Sequence, residues 1–428
     1  MRTRLTWVVA MLALVAIGFL MACSTKYSSS SNGLVVVPTQ SAAVMQSFSL
    51  NLANGHLSQI NNAAGPPTNG LPTSIVLDPT GDFAYVIVYQ NPAVLGSATG
   101  IETFQIASDG KLTAGATTTL NNTIFTPLGG QCESIAVTPV ALAIDSAGKF
   151  LFVANSAASS APGSVSVLAI SGGNLKEIQP VSCSSASTAG SPFPLPGATS
   201  NPSASALAVT PTVYPTQFAY CSGHAAPTTE NLYVTDSVNY LLLNYSVNTS
   251  TGALTLMPPS TSSPGLSTGT VPSGVAVDPC NRFVYVANST SNNISAFTIC
   301  SAVTPSCLKP DFSLLAVTGS PFGTSPGDGP GPVAVDPYGN FLYVVDSGSS
   351  QVSAFRIGAS IGNLTSVGTY AAGTGANSIA IRGDDIWVFV ANSTSSTLSQ
   401  YAIIPATGGL APQSPASTFN TPTGVAVK

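Results

Sequence analysis

Hydrophobic and polar positions alternate in short bursts along almost the whole chain. The clearest burst spans residues 272–299, PSGVAVDPCNRFVYVANSTSNNISAFTI. It predicts three short β-strands, Gly274–Val277, Phe283–Ala287 and Ile294–Ile299. The first is an apolar run, and in the other two β-branched or aromatic residues alternate with small or polar ones. Asp278-Pro279-Cys280-Asn281 supplies a turn with φ fixed by proline, and the polar run from Asn288 to Asn293 supplies a hairpin loop. A unit of this kind cannot bury its own faces, so it needs copies.

The copies are present. Aligned on the Asp-Pro turn, the pattern recurs at Asp78, Asp145, Thr210, Asp278, Asp336, Arg382 and Lys428. A second strand follows each of the first six, then a third ending near Phe104, Leu168, Tyr245, Phe297, Phe355 or Tyr401. Hairpins such as Gly110–Leu112, Gly252–Leu254 and Gly409–Leu410 lead to a fourth. Four strands per unit make a propeller blade. The last residues, from Pro422 to Lys428, read as a first strand lacking a second, and the stretch from Gly33 reads as a second strand lacking a first. Joined, they complete a seventh blade. The expected fold is all-β, a seven-bladed propeller closed by its two ends, which removes free sheet edges.

The repeated pattern V-A-V-D-P-x-x-x-F-x-Y-V-A-N, followed by I-S-x-F, resembles the YVTN-type repeats of the lactonase-like seven-bladed propellers, among them the propeller-type 6-phosphogluconolactonases. The resemblance implies the architecture over nearly the whole mature chain. The activity it implies is lactone hydrolysis, but fold alone does not carry function.

Residues 1–23 begin with Arg2 and Arg4, continue as an apolar run, and end in Leu20-Met-Ala-Cys23. That is the layout of an export signal. Its end is similar to a bacterial lipobox, which implies cleavage before Cys23 and lipidation of its thiol; the alternative is an ordinary signal peptide. Residues 24–33 read as a flexible tether and 34–428 as the propeller. The expected location is the bacterial cell envelope, in the periplasm or on the outer membrane, with the membrane as partner through the anchor.

Removing the signal leaves 9 Lys+Arg against 16 Asp+Glu, a net of −7. With 6% of residues charged and no basic patch, nucleic acid is not expected as a partner. The chain is read as a monomer without cofactor or metal. Six cysteines remain in an oxidising compartment. Successive strands run antiparallel, so first-to-second and third-to-fourth turns share one face, and the second-to-third and blade-to-blade loops share the other. On that register Cys132 pairs with Cys183, Cys221 with Cys280 and Cys300 with Cys307.

The blade-to-blade-loop face is where an axial channel would open. First strands begin there at Thr73, Val140, Ser205, Ser273, Gly331, Asn377 and Thr423, all uncharged. Second strands end there at Thr39, Val88, Asn155, Asp236, Asn288, Asp346 and Asn392, where asparagine reads as a loop cap. Lactone hydrolysis needs a base for water and a stabiliser for the oxyanion. The acidic candidates on this face are Glu133, Asp328 and Glu102. Lys111, Lys149, Lys176, Arg282 and both histidines register to the opposite face, so no phosphate clamp is expected at the mouth. The leading expectation is therefore a lipid-anchored scaffold that binds an envelope protein or a small sugar-like ligand through its loops. The alternative is a lactonase with its site at the channel mouth.

Overall fold

The computed structural model describes residues 32–60, 65–91, 99–120, 123–126, 131–134, 138–157, 162–178, 191–196, 201–211, 230–259, 263–300, 313–324, 327–413 and 420–428. Seven antiparallel sheets of four or five strands form the blades, and the first strands touch one another in order around a closed ring. Blade 1 joins Ala426–Val427 to Asn32–Thr39, Val44–Asn51 and Leu57–Gln59. Blade 2 runs Leu71–Leu77, Phe83–Tyr89, Gly100–Ile106 and Leu112–Thr118. Blades 3 to 7 have first strands Thr138–Ile144, Ala204–Val209, Pro272–Val277, Pro330–Val335 and Ala376–Ile381. The end-to-end closure read from the sequence is what the chain does: Val35 pairs with Val427 and Val36 with Ala426.

Two of the strand boundaries that differ from the sequence pattern are informative. The second strand of blade 1 starts at Asn32, inside the stretch expected as tether. The first strand of blade 5 starts at Pro272, two residues before Gly274, because Ser273 is a β-bulge that breaks the alternation.

The bulge recurs. Register shifts in blades 2, 3, 4, 5 and 7 fall at Thr73, Val140, Ser205, Ser273 and Asn377. A bulge re-aims the side chain of its extra residue. Here that side chain reaches the next blade. Ser205 Oγ donates to Pro272 O (2.6 Å), Ser273 Oγ to Pro330 O (2.8 Å), and Asn377 Nδ2 to Pro422 O (3.3 Å). Thr423 Oγ1 donates to Pro72 O (2.9 Å). Gly331 has no side chain to offer, and Ser347 Oγ makes the link from blade 6 to blade 7 instead (2.7 Å). Tyr89 makes it from blade 2 to Pro139 O of blade 3.

The apolar core lies between blades, with one buried cluster at each of the seven junctions. On the turn side, the aromatic residue opening a second strand lies under the next blade's third-to-fourth hairpin. Gly362 (φ 73°) and Gly408 (φ 77°) are the glycines there, and a Cβ on either would overlap the ring of Phe283 or Phe341. Tyr285 and Tyr343 donate to the carbonyls of the same two glycines, each at 3.0 Å.

Among the described cysteines, Cys280 and Cys300 are buried and each is disulfide-bonded. Cys23, Cys183, Cys221 and Cys307 lie outside the described residues, as does the side chain of Cys132.

Candidate functional site

Four of the seven uncharged rim positions, Ser205, Ser273, Asn377 and Thr423, are occupied in latching blade to blade, and the ionisable groups on the loop face are its acids. Four of them can be placed, and repeat register separates their roles.

Glu102 lies in the third strand of blade 2 and is fully buried. At the same register stand Ser166, Ser295, Ser353 and Ser399. Ser295 and Ser399 accept from the amides of Gly269 and Gly373 in blade-to-blade loops. Glu102 does the same, accepting from Asn69 N (2.9 Å) and Asn69 Nδ2 (3.2 Å). It anchors a loop. Burial pushes its carboxyl up to about 7, against the Asn69 amide bond.

Glu133 lies in the hairpin Thr123–Thr126 to Gln131–Ser134, and its side chain is outside the described residues.

The second-strand ends behave alike in three blades. Asn155 Nδ2 reaches Ser166 Oγ, Asn288 Nδ2 reaches Ser295 Oγ and Asn392 Nδ2 reaches Ser399 Oγ, each at 3.0 Å. Where aspartate replaces asparagine, the two cases diverge. Asp236 is a saturated cap that accepts from Ser203 N, Val238 N, Asn239 N and Asn239 Nδ2. Asp346 receives one bond, from Ser353 Oγ (2.5 Å), and its Oδ1 is buried without a partner. Burial above all, and then the nearby charge of Asp328, push its carboxyl up to about 7.

Asp328 is exposed in the loop preceding the first strand of blade 6. Its amide donates to Ser349 Oγ (3.1 Å), and its carbonyl accepts from Gly348 N (3.0 Å). The loop reaches this position because residue 327 is glycine; a Cβ there would overlap the Asp346 carboxylate. Blade 6 therefore presents an exposed acid backed by a buried one that holds a proton near neutrality, a combination found at functional sites. Glu102 is bonded to the loop that enters blade 2, across the ring from blade 6, and does not join this pair. The sequence pointed to Asp328 and showed aspartate at Asp346 where blades 3, 5 and 7 carry asparagine, which reads as an ionised cap of the following loop and not as a partner of Asp328.

Cations stand on the other face. Arg282 pairs with Asp278 (2.6 Å), Lys111 with Asp109 (2.8 Å), and Arg382 with Asp384. Among the described residues no group of three or more His, Cys, Asp or Glu could hold a metal ion.

The family model for lactonase, 7-bladed beta-propeller, matches residues 162–305 and 311–428. No curated protein matches the chain. Among solved structures, the chain is similar to a Bacteroides fragilis protein provisionally called a 6-phosphogluconolactonase (TM-score 0.67, 16% identity, 94% of this chain and 100% of that one). It is also similar to the periplasmic gluconolactonase of Pseudomonas aeruginosa (TM-score 0.64, 17% identity, 93% and 99%). At these identities the structural likeness concerns the fold, while the sequence model extends over more than half of the chain. The chain belongs to the lactonase family of seven-bladed β-propellers.

Proposed function

We propose that this protein hydrolyses an uncharged lactone on the blade-to-blade-loop face, with Asp328 of blade 6 supplying the acid–base chemistry beside the buried Asp346. The observation that carries the reading is the buried Asp346 carboxylate packed against Gly327, next to the exposed Asp328, with burial pushing its pKa up to about 7. Family membership supports the reaction class, and the Pseudomonas aeruginosa neighbour is by its description a gluconolactonase. In this reading Asp328 takes a proton from water as the water oxygen bonds to the lactone carbonyl carbon. The ring C–O bond then breaks, and the departing alkoxide takes a proton to give the hydroxy acid. Asp346 is a positioning residue: neutral, it adds no second negative charge beside Asp328. The described cations stand on the opposite face, so the substrate is one without a phosphate.

The test follows proton release from neutral sugar and acyl lactones. Asp328→Asn lowers turnover about 10²-fold or more. Asp346→Asn restores the residue of the sister blades, keeps the fold and moves the pH profile. Turnover untouched by Asp328→Asn would relocate the site, with Glu133→Gln as the next variant. A folded protein inactive on every lactone leaves the second reading, a ligand- or protein-binding scaffold, which is favoured by the rim side chains being occupied in blade-to-blade bonds.

Export, lipidation at Cys23 and an envelope location belong to the same proposal, as do the pairings Cys132–Cys183, Cys221–Cys280 and Cys300–Cys307. Labelled fatty acid incorporated by the wild type and lost in Cys23→Ser checks the anchor, and peptide mapping without reductant checks the pairs.

A further inference from the structure

At four junctions the aromatic residue opening a second strand is sealed under the next blade's hairpin. Phe150, Phe283, Phe341 and Trp387 are 5%, 2%, 2% and 5% exposed. Phe83 holds the same position in blade 2 and is only half-buried. The cause is hairpin length. In blades 4, 6 and 7 the hairpin is a wide turn, with Gly252 N donating to Asn248 O, Gly362 N to Gly358 O and Gly408 N to Ile404 O. In blade 3, Ser171 pairs directly with Asn174, and only Gly172-Gly173 stand between them. Gly173 packs on the Phe83 ring, but a Cβ on Gly172 would meet nothing within 4 Å.

The short hairpin leaves two things open. One is a cavity of about 230 Å³ beside the ring. The other is the hydroxyl of Tyr85, two residues along the same strand face, which is buried without a partner among the described residues. Its counterparts Tyr285 and Tyr343 have the hairpin carbonyls that Tyr85 lacks.

We propose that this groove between blades 2 and 3 binds an uncharged sugar ring. Its lining joins Phe83 and Leu175 to Thr103, Gln105, Thr113 and Asn174, and among the described residues no ionisable side chain takes part. A half-open aromatic face takes the C–H face of a pyranose, while the hydroxyls and two primary amides offer both donors and acceptors to its hydroxyls. An anionic sugar would lose hydration there and gain no counter-charge. A wholly apolar ligand would strand the amides and hydroxyls. The groove lies among third-to-fourth hairpins, on the face opposite Asp328 and Asp346, so it is independent of the proposed hydrolysis.

The experiment is saturation-transfer NMR on the whole protein with glucose, galactose and N-acetylglucosamine, with glucose 6-phosphate and glucuronate as charged controls. Thr113 is exposed on the outer strand, so Thr113→Trp fills the groove without entering the core. The expected result is transfer to at least one neutral sugar and none to the charged ones. Thr113→Trp abolishes that transfer, Gln105→Ala weakens binding by about tenfold, and lactone turnover is unchanged in both. No transfer to any neutral sugar, or transfer that persists in Thr113→Trp, overturns the proposal.

Discussion

The junction between blades 5 and 6 and the junction between blades 2 and 3 are built from the same repeat and end up differently packed. At the first, Phe283 is sealed, Tyr285 is bonded, Ser273 links the rims and Arg282 donates to Gly339 O across the turn face (2.8 Å). Eleven side chains are buried in its core cluster. At the second, among the described residues, six are buried, Phe83 and Tyr89 lie partly open, Tyr85 is unpaired and the bulge residue Thr73 has a buried hydroxyl without a partner. The two sequences differ little in their strands; they differ in the length of one hairpin. A repeat protein's stability is close to a sum of neighbour terms, so slack at one junction is tolerated and leaves room for a ligand.

Substitutions in corresponding hairpins and strands sharpen this contrast; Gly173 is the counterpart of Gly362 and packs on its own ring, Phe83, so the open hairpin position is its neighbour Gly172. The largest effect is expected at Gly362, where alanine meets both a left-handed backbone and the Phe283 ring. Gly362→Ala costs about 3 kcal/mol, against about 1 kcal/mol for Gly172→Ala, which has only the backbone term. Urea midpoints of the two variants check the pair, and equal losses would break the contrast. Next is Glu230, buried at the junction of blades 3 and 4, where burial first and the charge of Asp145 second push the carboxyl up to about 8. Its folded value lies above its unfolded one, so its stabilisation is complete below about pH 4.5 and lost as pH rises through about 8. Glu230→Gln flattens the melting temperature across that window. Smaller still, Tyr285→Phe strands the Gly362 carbonyl and costs about 1 kcal/mol, whereas Tyr85→Phe removes an unpaired hydroxyl and is neutral or stabilising. The smallest difference is on the rim: Ser273→Ala costs under about 1 kcal/mol, and Thr73→Val nothing.

The ring was legible because its punctuation is chemical. Asp278 and Asp336 sit in the turns where the Asp-Pro spacing puts them, each carboxylate accepting amides of its own turn. The bulges were not legible. Ser273 and Asn377 suit a strand interior as well as an extra residue, and only pairing register tells the two apart. The same limit applied to the acids. Glu102 could have been read as an anchor by setting it beside Ser166, Ser295 and Ser399, since all four hold one register. The meeting of Asp328 and Asp346 depends on a loop that folds back over Gly327, and eighteen positions of sequence separation carry no trace of it.

The seam of blade 1 is short: two strand pairs, a bridge between Thr39 and Pro422, backbone bonds between Leu34 and Lys428, from Thr423 N to Pro38 O and from Gln40 N to Thr421 O, with Arg382 Nε on Lys428 O, Lys428 Nζ on Gly81 O and Val425 buried beside Val35. So short a strand suffices because the other six blades present its docking groove at high effective concentration. Closure is thus an intramolecular binding event, and it can be made intermolecular. A chain shortened before Pro422 would carry an empty strand slot, and a peptide of residues 422–428 supplied in trans would fill it with an affinity that reads out, directly, how well the ring is preformed.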